Sequence, residues 1–323
     1  MVLVRIFHRI GEEAPPDFGA ITPPVGVGQT GPVNPVIIEV ALNGPTRRSR
    51  QPHVPISSAE IAESGRKCAQ AGASIVHQHD DFATLATSPL GTGPEGMAAA
   101  GLAAYAGVLP HHPDIFVYPT ANFRGPTIQD RWDHHRVLAR EMPAQGLGPL
   151  RMGLVDPGSV TLGNFVYGYR RDEVEYKFAA CAELGLAPSI ACFEPGYVRS
   201  VLDFYESGRL PAGSLVKFYL CAGPPLFGLP AEPWALETYL RMIEGTDLPW
   251  AVAVLGGDVV ASGLADMAIE LGGHVRVGLE DYADPTGRQP TNEELVAEVA
   301  DLARRSGRGV ASPTEAATIL GCR

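Results

Sequence analysis

From Val36 onward, short runs of β-branched and aliphatic residues alternate with longer stretches whose apolar positions recur every three or four residues. Runs of the first kind predict strands and stretches of the second predict amphipathic helices. The strand runs are VIIEVALN (36–43), SIVHQHD (74–80), DIFVYPT (114–120), RMGLV (151–155), PSIACFE (188–194), SLVKFYL (214–220), WAVAVLG (250–256) and HVRVGLE (274–280), eight in all. Between the first two, Ser57 and Glu60 have capping-box spacing and Gly72 ends the periodic stretch. Segments 171–186, 232–245 and 260–273 carry the same helical period, and a last helix over 291–308 precedes a short one over 312–320. Strand and helix in eightfold alternation imply parallel strands with helical crossovers, and the length suits a single (β/α)8 TIM-type barrel. A doubly wound open sheet is the alternative. Residues 1–35, Pro- and Gly-rich without a period, read as an N-terminal extension that wraps the barrel or reaches a neighbouring subunit, and residues 36–323 as the barrel domain.

Composition narrows the function. A hydrophobic content of 45% over 323 residues supports a large core. The net charge of −11 argues against nucleic-acid and anionic-membrane partners, both of which need a basic surface. Cys68, Cys181, Cys192, Cys221 and Cys322 are widely spaced and fall mostly in apolar runs, as free thiols in a reducing compartment do. The first residues lack the pattern of a secretory signal and no apolar run approaches the ~20 residues of a membrane span, so a cytoplasmic location is expected.

The chemistry sits at strand ends. In SIVHQHD, His77 and His79 are two apart and share one face of the strand, with Cα atoms about 7 Å apart. Such a pair is compatible with two hydrogen-bonded core imidazoles or with a metal, usually zinc. Barrel active sites form at C-terminal strand ends, where this pair lies. His111 and His112 precede a strand, and His134 and His135 are adjacent on a helix; both pairs are expected to be solvated. The eighth run places Arg276, Gly278 and Glu280 on one face, with Asp281 next. Ionisable groups so close in a buried strand must be paired among themselves or bound to a metal. Glu194, at the end of the fifth run, competes with Glu280 as third ligand. No G-x-S-x-G, phosphate-loop or dinucleotide fingerprint is complete.

The strings GASIVHQHD, GGHVRVGLEDY and TNEELVAEVADLARRSGRGVASPTEAATILG resemble the β-keto acid cleavage enzymes, from about Val36 to the C-terminus. The resemblance implies a zinc-dependent barrel that exchanges a β-keto acid with acetyl-CoA to give acetoacetate and a new acyl-CoA, in a homo-oligomer, with a tetramer expected. Carried over position by position, it makes His77, His79 and Glu280 the metal ligands, Asp281 the general base, Arg276 its ion-pair partner and Thr120 a holder of the substrate carboxylate. The metal would act as a Lewis acid on the keto acid.

This chain departs from the family pattern in three places. HQHDD has Asp80 and Asp81 where a basic residue usually follows the histidines. LNGPTRRSRQ puts Pro45 near the glutamate that holds the amine of 3-keto-5-aminohexanoate. LGGDVV lacks the usual glycine-arginine loop after strand seven. Two other functions fit the same residues: a zinc-dependent aldolase or hydrolase, and a binding protein with a structural zinc. Only three ligands are evident, which favours an open catalytic position over a closed structural site.

Overall fold

A computed structural model describes residues 34–122 and 125–322, so most of the extension expected over residues 1–35 lies outside the described residues. Eight parallel strands form a nearly closed barrel: β1 (Ile38–Ala41), β2 (Ile75–Gln78), β3 (Phe116–Pro119), β4 (Met152–Val155), β5 (Ala187–Cys192), β6 (Leu215–Cys221), β7 (Trp250–Leu255) and β8 (His274–Val277). Neighbours run β3-β2-β1-β8-β7-β6-β5-β4, the consecutive order of a (β/α)8 barrel; an open doubly wound sheet would reverse it partway. The strands are buried on both faces, inside against one another and outside against helices, which is why they read as continuous apolar runs.

The helices include α1 (Ser58–Ala71), α2 (Pro94–Tyr105), α3 (His134–Ala144), α4 (Arg171–Leu184), α5 (Pro195–Glu206), α6 (Pro233–Met242), α7 (Leu264–Glu270) and α8 (Asn292–Arg305). Ser57 and Glu60 form the predicted capping box of α1, and Gly72 ends it in the left-handed region at φ 119°. Helix α7 starts later than its periodicity suggests because the Asp258 carboxylate accepts from the amides of Val260 and Ala261 and holds that stretch in a turn. Pro313–Leu320 forms the short final helix. An antiparallel hairpin, Ser159–Leu162 with Phe165–Gly168, follows β4 and has no counterpart in the eight-run pattern. Among the described residues, no helix is long and apolar enough to cross a membrane.

The barrel is least regular between β3 and β4, which lie side by side without a hydrogen-bonded ladder. Side chains at the start of α3 and just before it take over the missing bonds. The Trp132 indole donates to the Leu154 carbonyl at 2.8 Å, and the Leu154 amide donates to His135 Nε2 at 3.3 Å. His134 Nε2 bonds the Thr120 carbonyl at 2.7 Å, just past the end of β3. The expectation that His134 and His135 are solvated is therefore wrong: both are fully buried. Burial keeps them neutral, with the His134 pKa pushed down to about 4 and that of His135 well below its ordinary value. Only a neutral His135, protonated at Nδ1 toward the Trp132 carbonyl (2.9 Å), can accept from Leu154. His111 is exposed and His112 half-buried, nearer the expectation.

Replacing His135 with Leu removes the acceptor and leaves the Leu154 amide buried without a partner, at a cost of about 1–3 kcal/mol. Thermal unfolding should shift down by several degrees and the Leu154 amide should exchange faster with solvent. The same change at exposed His111 should move stability by no more than about 0.5 kcal/mol. Equal effects at both positions would refute the bridging role.

Candidate active site at the C-terminal mouth of the barrel

His77 lies within β2, and His79 follows one residue beyond its end. The Asn43 side chain, just past β1, clamps His79: its amide nitrogen donates to the His79 carbonyl at 2.9 Å and its oxygen accepts from the His79 amide at 2.8 Å. The two imidazoles then face one place, with ring centroids 5.2 Å apart and planes at 83°. His77 is also stacked on Tyr118, centroid to centroid 4.5 Å.

Strand β8 ends sooner than predicted, and the early ending builds the site. In a continuing strand, Glu280 and Asp281 would point to opposite faces. Instead the chain turns at Gly278, whose φ is 138° and whose position leaves no room for a Cβ, since one would sit 2.1 Å from the Ala41 carbonyl oxygen. The amides of Asp281 and Tyr282 both donate to the Gly278 carbonyl, closing the turn. Asn292 at the start of α8 and the Thr46 hydroxyl hold Leu279 from either side. Gly44, also in the left-handed region, makes space for the Glu280 side chain. Glu280 and Asp281 thus both reach Arg276: its Nε donates to Asp281 Oδ2 at 2.8 Å and one terminal nitrogen lies 3.1 Å from Glu280 Oε1.

Glu280 closes the set, with Oε2 3.4 Å from His77 Nε2 and Oε1 3.3 Å from His79 Nε2. The donor atoms of His77, His79 and Glu280 all lie within 4.8 Å of one another. Ligand bonds of ~2 Å on each side span such separations. Burial, joined by the charges of Arg276 and Lys217, drives the His77 pKa well down against the pull of Glu280, so the imidazole is neutral, the form that binds metal. Burial also works to raise the Glu280 pKa, but the neighbouring histidines and Arg276 prevail and hold it well below the ordinary carboxylate range. For Asp281 the balance differs: burial pushes it up to about 6, Arg276 opposes and the Glu280 charge adds to the rise. The ion pair with Arg276 orients Asp281 more than it lowers its pKa. Three carboxylates with little exposure, Glu39, Glu280 and Asp281, face two buried cations, Arg276 and Lys217. That excess of negative charge, and a Glu280 Oε2 that accepts no hydrogen bond, suit a divalent cation.

A cavity of about 720 Å³ opens over this cluster. His77, His79, Arg276, Glu280 and Asp281 line its floor, and Thr120 lines it from the end of β3. Phe165 and Tyr167 of the hairpin form part of an apolar wall with Phe193 and Tyr219, and Pro45, Arg47 and Arg50 form the rim after β1. Glu194 does not join the cluster. It precedes α5 and accepts from the Gly228 amide at 3.0 Å. Asp80 is buried but lies on the alternate side of β2 with Gln78, whose amide reaches it at 3.3 Å. Sequence reasoning passed over Asn43, Tyr118, Glu39 and Lys217. The last two carried a signal: each is a lone charge inside an otherwise apolar run, and the two charges are opposite.

The family model for beta-keto acid cleavage enzymes matches residues 35–322. A 3-oxoadipate:acetyl-CoA acetyltransferase from Cupriavidus necator is 28% identical over 296 residues, covering 89% of this chain and 95% of its own. A 3-keto-5-aminohexanoate cleavage enzyme from Acetoanaerobium sticklandii is 27% identical, covering 88% and 98%. A 3-dehydrocarnitine:acetyl-CoA trimethylamine transferase from Rhizobium meliloti is also 27% identical, covering 83% and 89%. Among solved structures, a ternary complex of ObcA with a C4-CoA adduct and oxalate shares the fold, with a TM-score of 0.60 at 19% identity over 84% of this chain and 68% of that one. With the model match spanning the whole described barrel, the chain belongs to the beta-keto acid cleavage enzyme family.

Proposed function

We propose that this protein is a zinc enzyme that exchanges a β-keto acid with acetyl-CoA to yield acetoacetate and a new acyl-CoA. The observation that carries the reading is the meeting, on the floor of one cavity, of a three-ligand set (His77, His79 and Glu280) with a carboxylate that still has an oxygen to offer. Two imidazoles and one carboxylate are the donor set of catalytic zinc, with a position left open. A zinc ion held there would supply Lewis-acid polarisation of the keto acid's oxygens.

The remaining work falls to the chain's own side chains. Asp281 Oδ2 is engaged by Arg276, while Oδ1 is buried without a partner and is free to take a proton from the carbon between the keto and carboxylate groups. Thr120 offers a hydroxyl to the substrate carboxylate across the floor. The deprotonated carbon attacks the acetyl thioester carbonyl and CoA leaves as thiolate. The thiolate then attacks the original keto carbon and the bond between that carbon and the carboxylate-bearing one breaks, releasing acyl-CoA; Asp281 returns its proton to the carbon left behind, which leaves as acetoacetate. On the rim, Arg47 and Arg50 give the β1 loop a positive character, which favours a neutral or anionic substrate over one carrying an amine.

Metal analysis of the purified protein should find about one divalent ion per chain, and His77→Ala or His79→Ala should lose it. Full metal content in both variants would rule out these ligands. Asp281→Asn is nearly isosteric, so it should keep fold and metal while turnover with acetyl-CoA drops ~10²-fold or more. A variant that sheds its metal, or keeps most of its rate, removes Asp281 from the base role. Among β-keto acids assayed for acetoacetate formation, 3-keto-5-aminohexanoate should be slower than uncharged and dicarboxylic analogues; if it is fastest, the reading of the Arg47 and Arg50 rim is wrong.

A further inference from the structure

Below the site, the barrel interior holds an ion pair that touches neither the cavity nor the three-ligand set. Glu39 of β1 and Lys217 of β6 are 1% and 0% exposed, and Lys217 Nζ lies 2.9 Å from Glu39 Oε1. The same oxygen accepts from the Tyr118 hydroxyl at 2.6 Å and from Arg276 at 2.6 Å. The Tyr118 hydroxyl accepts in turn from Lys217 at 2.8 Å and from Ser189 at 2.9 Å. Two charges taken out of water cost several kcal/mol each, and well-packed apolar residues in their place are often as stable or more so. Stability alone gives little reason to keep them.

Their placement gives another reason. Each nitrogen of the Arg276 guanidinium faces a different carboxylate: Glu39 below, Glu280 and Asp281 above. The two upper partners follow the end of β8 in a turn, whereas Glu39 lies within β1, paired in register with Arg276 itself. Glu39 is thus the one rigid corner of a planar three-cornered clamp. Through Tyr118, stacked on His77, the same network reaches the other side of the ligand set. We propose that Glu39 and Lys217 are positioning residues: they hold the Arg276 plane so that Asp281 and Glu280 keep their places, and Lys217 balances the charge that Glu39 brings. This rests on the reaction proposed above only where turnover is the readout.

The test replaces both charges at once, Glu39→Met with Lys217→Met, so that neither is left buried and unpaired. The holoenzyme should fold and keep its metal, with a thermal midpoint within a few degrees of wild type, because the acceptor lost to Tyr118 and Arg276 is offset by removing two buried charges. Turnover should fall about 10–100-fold, the range for outer partners of a metal site. KM for the keto acid and for acetyl-CoA should stay within about threefold, because neither residue touches substrate. In protein labelled with ¹⁵N-arginine, the Arg276 Nε–H resonance, assigned through Arg276→Lys, should be sharp in the wild type and broadened or lost in the double variant. If the double variant does not fold, Glu39→Gln, which keeps the shape, should show the same loss of turnover and resonance in smaller degree. An unchanged resonance and rate would overturn the inference, as would parallel losses of midpoint, metal and rate, which mark a structural pair. A wild-type protein that turns over no β-keto acid, with the resonance still dependent on Glu39 and Lys217, would sink the proposed reaction and leave the positioning role supported.

Discussion

The site depends on one guanidinium shared among three carboxylates where water has little access. Arg276 is almost fully buried and meets Glu39, Glu280 and Asp281 with separate nitrogens. A cation in that position is tolerable only with anions around it, and anions so close together are tolerable only with a cation between them. The planar fork of arginine serves this role, which the single point charge of lysine could not fill in the same way. Lys217 reduces the remaining imbalance from below, and the negative charge still in excess lies toward the histidines, where a divalent ion would be held.

Backbone geometry makes that sharing possible. Adjacent residues of a strand cannot converge, so Glu280 and Asp281 reach the same guanidinium only because β8 gives way to a turn at Gly278. The turn is braced by side chains from other parts of the chain, Thr46 after β1 and Asn292 at the start of α8. Asn43, just past β1, likewise braces His79, through both its amide nitrogen and its oxygen. The barrel strands and the residues just past their ends supply the floor, and the loops supply the rim and, with Tyr219 of β6, the apolar wall. In this arrangement the groups proposed for chemistry stand on or beside rigid strands, while the residues that would discriminate among substrates lie on loops that can vary without disturbing them.

Much of this was legible in the linear sequence. Eight apolar runs spaced by helical periods yield the barrel because period and burial are local properties, and His77 and His79 share a face by strand geometry alone. The candidate ligands and the arginine-aspartate pair could be named from short strings. Where β8 ends was not legible: the run to Glu280 is apolar enough to continue as strand, and only the close approach of the Ala41 carbonyl shows why Gly278 must turn. Glu194, the lesser candidate beside Glu280 in the sequence, is set apart by the fold, which gives it a different partner, the Gly228 amide.

His134 and His135 looked like surface residues because neighbours on a helix diverge, yet the missing ladder between β3 and β4, a feature of closure between distant segments, draws both inward. Glu39 and Lys217 are separated by 178 positions, and no local pattern could join them. The sequence by itself determined the elements, their order and the chemical types available at the strand ends, since these follow from nearest-neighbour sterics and hydrophobic period. The tertiary structure alone decided which charges share a buried space, because the cost of an unpaired charge depends on what the folded barrel sets beside it.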